Sequence, residues 1–236
     1  MPSYILNMKL ITKNVFLFTF LLLGTFSIFG QERFNGYYEP YVKVGYDVTN
    51  NFSQEFIVEN RTIWYDKERA TFEMKQVDVA HFSKLKLSDK NAVAVGLQYR
   101  FRENFAKSRE NELRFTEEYT FTTKPKATEL EHRIRAEQRI TSSETSHRFR
   151  YNVAITRSFN GSEIKNGNAY MIGDLETLLT VAKDTKPEYE QRIGAGVGWL
   201  LSDLLKIELV TEYRLSDFTQ NLVHELYFVT GLKISL

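Results

Sequence analysis

The chain of 236 residues has no cysteine, only four prolines and two tryptophans. Without cysteine, an exported product is neither a lipoprotein nor a disulfide-stapled domain. Neither sign of charge dominates: 31 Lys and Arg stand against 30 Asp and Glu. That balance gives no reason to expect nucleic acid or an anionic membrane surface as a partner. Long apolar runs are missing beyond residue 30, and mean hydropathy is −0.36, which excludes a bundle of transmembrane helices. Amphipathic helical periodicity is also missing past that point, and no low-complexity linker divides the chain, so one domain is expected. His132, His147 and His224 lack metal-ligand spacing. Gly194, Gly196 and Gly198 alternate along a strand-like segment, which suits a bulky lumenal neighbour or a bend and not a phosphate loop. No metal or cofactor is expected.

What is present begins at the N-terminus. Lys9 and Lys13 precede the apolar run Val15–Phe29, which ends at Gly30. A basic region, an apolar stretch of about fifteen residues and a small residue at its boundary make a secretory signal peptide. Residues 1–30 are read as that signal, with Met8 a possible start, and 31–236 as the exported domain. Removing two lysines leaves the exported part near neutral.

The exported part alternates. In Ala92–Arg102 every odd position is large and apolar (Val93, Val95, Leu97, Tyr99, Phe101) and every even one is small or polar. Only a β-strand sends alternate residues to opposite faces. Eleven such segments follow one another: Tyr37–Val48, Phe52–Tyr65, Phe72–Leu87, Ala92–Asn104, Glu112–Thr123, Glu129–Thr141, His147–Phe159, Ala169–Ala182, Tyr189–Leu200, Leu205–Leu215 and Asn221–Leu236. They are long enough to cross a bilayer when tilted. Tight turns (49–51, 88–91, 124–127, 202–203) alternate with looser charged connections (66–71, 105–111, 183–188, 216–220), and 160–168 is long where a short turn is due. Short turns mark the periplasmic side of an outer-membrane barrel. An all-β, single, antiparallel up-and-down transmembrane β-barrel is expected. An all-antiparallel closure needs an even number, so about twelve strands are expected, with 31–37 adding a short one, or ten.

The two faces differ. One carries Val42, Phe56, Val79, Phe115, Phe149, Leu175, Ile193, Leu209 and Phe228, with aromatic residues near strand ends. The other carries Glu39, Lys43, Asp47, Glu55, Glu59, Arg61, Asp78, Lys84, Lys86, Arg100, Arg102, Arg114, Glu118, Glu129, Glu131, Arg133, Arg135, Glu137, Arg139, Arg148, Arg150, Asp174, Glu176, Arg192, Lys206, Glu208, Glu212, Arg214, Glu225 and Lys233. A soluble sandwich or ligand-binding barrel would put the apolar face inside, around a very wide cavity at this size. The inverted order, lipid outside and charge within, fits a bacterial outer membrane, with lipid and lipopolysaccharide around a monomer inserted by the barrel-assembly machinery. Two readings of the interior stand: a lumen filled by carboxylate–guanidinium pairs, or a narrow passage whose wall gathers Arg100, Arg102, Arg133, Arg135, Arg148 and Arg150 and favours anionic solutes. The role is then structural or a restricted passage for small solutes.

An enzyme is the alternative. His81 and Ser83 fall in the apolar phase of the third segment, where a His–Ser pair facing lipid could serve a Ser–His–acid site. His81-Phe82-Ser83 resembles the His-x-Ser element of outer-membrane lipid A deacylases. It departs at Lys84, where that family commonly has Asn, and lacks its downstream Glu.

A wider resemblance covers nearly all of the exported part. Asp174–Leu179, Gln191–Gly198, Glu208–Tyr213 and the closing Leu222–Leu236 resemble an uncharacterised outer-membrane barrel family, widespread in Bacteroidetes and catalogued only as a domain of unknown function. Glu59-Asn60-Arg61 fits that family's early arginine. The resemblance implies the fold and the address and no activity. Many outer-membrane barrels end on an aromatic residue, and this chain ends on Leu236.

Overall fold

The computed structural model describes residues 33–125, 128–161 and 163–236. The signal-peptide reading of 1–30 lies outside them. The rest is eleven strands: β1 (Phe34–Asp47), β2 (Phe52–Asp66), β3 (Arg69–Lys86), β4 (Asn91–Phe101), β5 (Glu112–Thr123), β6 (Thr128–Ile140), β7 (Thr145–Ser158), β8 (Ala169–Ala182), β9 (Glu188–Ser202), β10 (Leu205–Ser216) and β11 (Val223–Ser235). Each pairs with its neighbours in sequence, and β1 closes on β11, giving one closed barrel.

The expected count of twelve or ten rested on excluding a parallel seam, and the chain has one. An odd number of up-and-down strands makes the first and last run in the same direction, and β1 pairs β11 in parallel from Phe34↔His224 to Gly45↔Ser235. Residues 34–37, expected as a separate short strand, are the start of β1. As a consequence β1 begins at one rim and β11 ends at the other.

Register fixes the tilt. Stepping across the strands from Asp47 through Lys84, Glu118, Arg150 and Glu190 returns to β1 near Arg33. That shear of about fourteen residues over eleven strands inclines them about 45°. A strand of 14 residues then rises about 33 Å, enough for an apolar band about 25 Å tall.

The connections after β1, β3, β5, β7 and β9 lie at one rim, here the turn rim, where β11 also ends. The others lie at the loop rim. The connection expected to be loose at 66–71 is a two-residue hairpin: Lys67 and Glu68 have φ of 49° and 62°, the pair of positive φ values a type I′ turn demands. The long connection between β7 and β8 folds back against the β9–β10 turn. Its Gly167 N–H donates to the Leu200 carbonyl and its Asn166 Nδ2 to Asp203 at 2.7 Å. Gly161 and Gly167, with φ near +80°, supply its left-handed bends.

Candidate functional site: a lumen lined by an arginine–carboxylate belt

The faces separate as alternation requires. Val58, Val95, Ile134, Phe149, Leu175, Ile193, Leu209 and Phe228 point outward and are exposed all round the wall. The outward apolar belt is interrupted on β5–β7 by exposed Glu117, Gln138 and His147.

The inward charges are not scattered. Because the strands tilt, residues at different places in the register come to one height, and a belt of ion pairs forms nearer the loop rim. On β6, Glu137 receives Arg150 Nη1 at 2.9 Å and Arg139 Nη2 at 2.7 Å, with Arg114 and Arg135 at 3.7 and 3.8 Å. Arg150 also donates to Glu176 at 2.7 Å, and Arg192 reaches Glu176 at 3.4 Å and Glu190 at 2.6 Å. Arg114 bonds Glu112 at 2.5 Å, and Gln98 joins Arg114 to Asp78, which Arg100 also holds through Nη2 at 2.5 Å. Across the seam, Glu39 accepts from Arg61 at 2.6 Å and from Arg214 at 3.3 Å, and Arg214 also pairs with Glu212. β11 contributes Tyr227, whose ring stacks on Tyr37 and lies 3.5 Å from the Arg214 guanidinium carbon. All eleven strands thus take part.

Planar, bidentate arginine suits such a belt, because each guanidinium serves two or more carboxylates with fixed geometry. The desolvation cost is large, so the belt adds little net stability over an apolar filling. It does make the register specific, since a slip would leave a buried charge unpaired.

Beyond the belt toward the loop rim the interior is packed. There Gln76 and Leu178 face inward and are 2 and 1 % exposed, and the belt's own Glu112 and Tyr227 are as deeply buried. On the other side lies a cavity of about 1040 Å³. It reaches the turn rim, where Lys124, Glu129 and Lys206 line it with Glu163 and Ile164 of the long connection. The cavity forms a cup that opens at the turn rim.

Its walls are kept clear by glycines. The rings of Phe82, Tyr170 and Tyr41 occupy the places where Cβ atoms at Gly96, Gly198 and Gly231 would lie, at 2.3 to 2.4 Å. Large rings thereby lie along the wall instead of across the lumen. Tyr41 and Tyr170 hydroxyls both donate to Glu208, at 3.2 and 2.9 Å, and Lys233 pairs with the same carboxylate at 2.6 Å. The room expected beside Gly194 and Gly198 is filled by Asp174 and Tyr170.

The expected lumenal residues sit on the interior face: Arg61, Arg100, Arg114, Glu131, Arg133, Arg135, Arg139, Arg148, Arg150, Glu176, Arg192, Glu208, Glu212 and Arg214 line the cavity. Glu118, bonded to Arg135 at 2.5 Å, and Glu137 lie behind them. Arg102 follows the end of β4, 3.8 Å from Glu112 with Nε unpartnered, and does not line the cavity. The arginines proposed as one basic wall are interleaved with carboxylates instead. Arg148 is held by Thr180 at 2.7 Å and by Glu190 at 3.7 Å, and Arg133 has no hydrogen bond or ion pair among the described residues. The interior set expected from alternation omits two charged belt residues, Glu112 and Glu190. Both share the inward phase of Arg114 and Arg192, which was the available signal.

His81 and Ser83 face outward beside Phe56. They meet at one acceptor, Gln54 Oε1, at 2.5 and 2.9 Å. With Nε2–H donating to an amide oxygen, the imidazole cannot take a proton from Ser83 in this arrangement.

A family model described as a protein of unknown function, DUF2490, matches residues 31–223. The chain belongs to the DUF2490 family. That match spans β1 to β10 and the first residue of β11, so in this chain it covers all but one strand of the barrel. No curated protein and no solved structure matches the chain.

Proposed function

We propose that this DUF2490 chain is an exported β-barrel of a bacterial outer membrane, non-enzymatic, and closed to free passage by its arginine–carboxylate belt. The observation that carries the reading is the inverted distribution of side chains: an exposed apolar wall outside and a charged interior. A barrel in water would bury Val95, Ile134 and Ile193, whereas lipid accepts them. A single outward carboxylate such as Glu117 is costly there but less so than a basic residue.

The short turns and the end of β11 belong on the periplasmic side in this reading, so the cup opens to the periplasm and the packed end faces out. Its role is structural, or the restricted admission of small solutes from the turn rim. Lipid and lipopolysaccharide surround a monomer inserted by the barrel-assembly machinery. Cell fractionation with gel mobility tests the placement. The protein is expected in the outer-membrane fraction, running faster unheated than boiled. A soluble monomer purified without detergent would contradict it. Lipid A is expected to be unchanged in a Ser83→Ala strain.

A further inference from the structure

Among the cup's polar groups outside the belt, three lie on adjacent strands. Arg133 on β6, Asn152 on β7 and Asp174 on β8 all line the cavity. Register places Arg133 opposite Asn152 and Asp174 one diagonal step beyond, opposite Ala154. On β6, Arg135, Glu137 and Arg139 are all paired, while Arg133 makes no hydrogen bond or ion pair with any described residue. On β8, Glu176 holds two arginines, while Asp174, two residues away, holds none. Asn152 is 4 % exposed, and its Oδ1 is a buried acceptor with no partner. Gly194 makes the room: a Cβ there would fall 2.1 Å from Asp174 Oδ1.

A cation, a neutral acceptor and an anion thus stand side by side on three consecutive strands, in an interior where nearly every other arginine is matched. Buried polar groups are normally satisfied, and an orphan acceptor flanked by unmatched opposite charges points to what would satisfy all three. The cation suits a carboxylate, the anion an ammonium, and the amide oxygen an N–H donor. Alternate strands lie about 10 Å apart, so side chains from β6 and β8 close on a small body between them.

We propose that this part of the cup binds a small zwitterion bearing a free amine and a free carboxylate, an amino acid or a short peptide. The carboxylate meets Arg133, the ammonium Asp174, and an N–H the Asn152 oxygen. The inference goes beyond the closed-barrel reading and does not depend on which membrane holds the barrel.

Calorimetry on the full chain in detergent tests it. The probes are L-alanine and L-alanyl-L-alanine, with the N-acetylated and C-amidated dipeptides as controls. One or both zwitterions are expected to bind, and each blocked form at least tenfold more weakly. Which zwitterion binds distinguishes amino acid from peptide. Arg133→Gln is expected to abolish the preference over the amide, and Asp174→Asn the preference over the acetylated form. Both variants are first checked for heat-modifiable mobility. No binding of either zwitterion, equal binding of the blocked forms, or unchanged preferences in folded variants would overturn the proposal. The wild-type comparison alone decides if a variant does not fold.

Discussion

Arg214 on β10 reaches past β11 to donate to Glu39 on β1, Nη2 to Oε1 at 3.3 Å. That bond crosses the only parallel pairing in the barrel, so the closing seam is held by side chains as well as by its ladder. Parallel ladders are slightly weaker per residue than antiparallel ones. Here Glu39 holds both Arg61 and Arg214, and Tyr227 stacks beneath the same two guanidinium groups.

Glu39→Ala leaves Arg61 without a carboxylate and Arg214 with Glu212 alone at the seam. Removing one member of a buried pair costs about 3–5 kcal/mol. The variant is expected to lose its heat-modifiable mobility at a clearly lower temperature than wild type. Glu129→Ala, whose partner Lys124 is largely exposed, is expected to change little. Equal shifts in the two variants would mean that Glu39 has no special place at the seam.

Gly96 and Phe82 offer a second test. Gly96→Val puts side-chain atoms where the Phe82 ring lies, and overpacking of this kind costs about 1–3 kcal/mol. Phe82→Ala combined with Gly96→Val is expected to destabilise less than the sum of the single changes. A double-mutant cycle on urea unfolding in detergent measures that coupling. Strict additivity would show that the ring does not need the glycine.

A pH test is available outside the wall. Glu110, in the β4–β5 loop, accepts the Ser143 N–H at 3.1 Å and its hydroxyl at 2.8 Å. Hydrogen bonds from Ser142, Thr141 and Ser143 lower its carboxyl to about 2. A lowered carboxyl pKa means the contact is fully present above the ordinary carboxylate range and lost as pH falls through about 2. The Ser143 amide resonance is expected to hold steady from pH 7 to 5 and shift only near pH 2. A midpoint in the usual glutamate range would show that the loop contact does not form.

Much of the barrel is legible in residue order. Strict alternation such as Val93 to Phe101 identifies a strand and its outer face, and all eleven segments correspond to strands with ends off by only a few residues. The seam is not legible, because parallel closure follows from the strand count and leaves no local mark on β1 or β11. The hairpin at Lys67 and Glu68 is hidden because neither residue is the glycine or asparagine usual at positive φ. Alternation assigns Arg114 and Glu137 to the inside but says nothing of their height, which tilt determines. The belt, and the exclusion of Arg133 from it, therefore had to be seen in three dimensions.

The most direct test of the closed lumen is planar-bilayer conductance of wild type beside Glu137→Ala, which removes the carboxylate shared by four arginines. Wild type is expected to give no steps above background, and the variant anion-favouring steps as its arginines repel one another and line open water. Steady conductance steps from the wild-type barrel would contradict a lumen sealed by the belt.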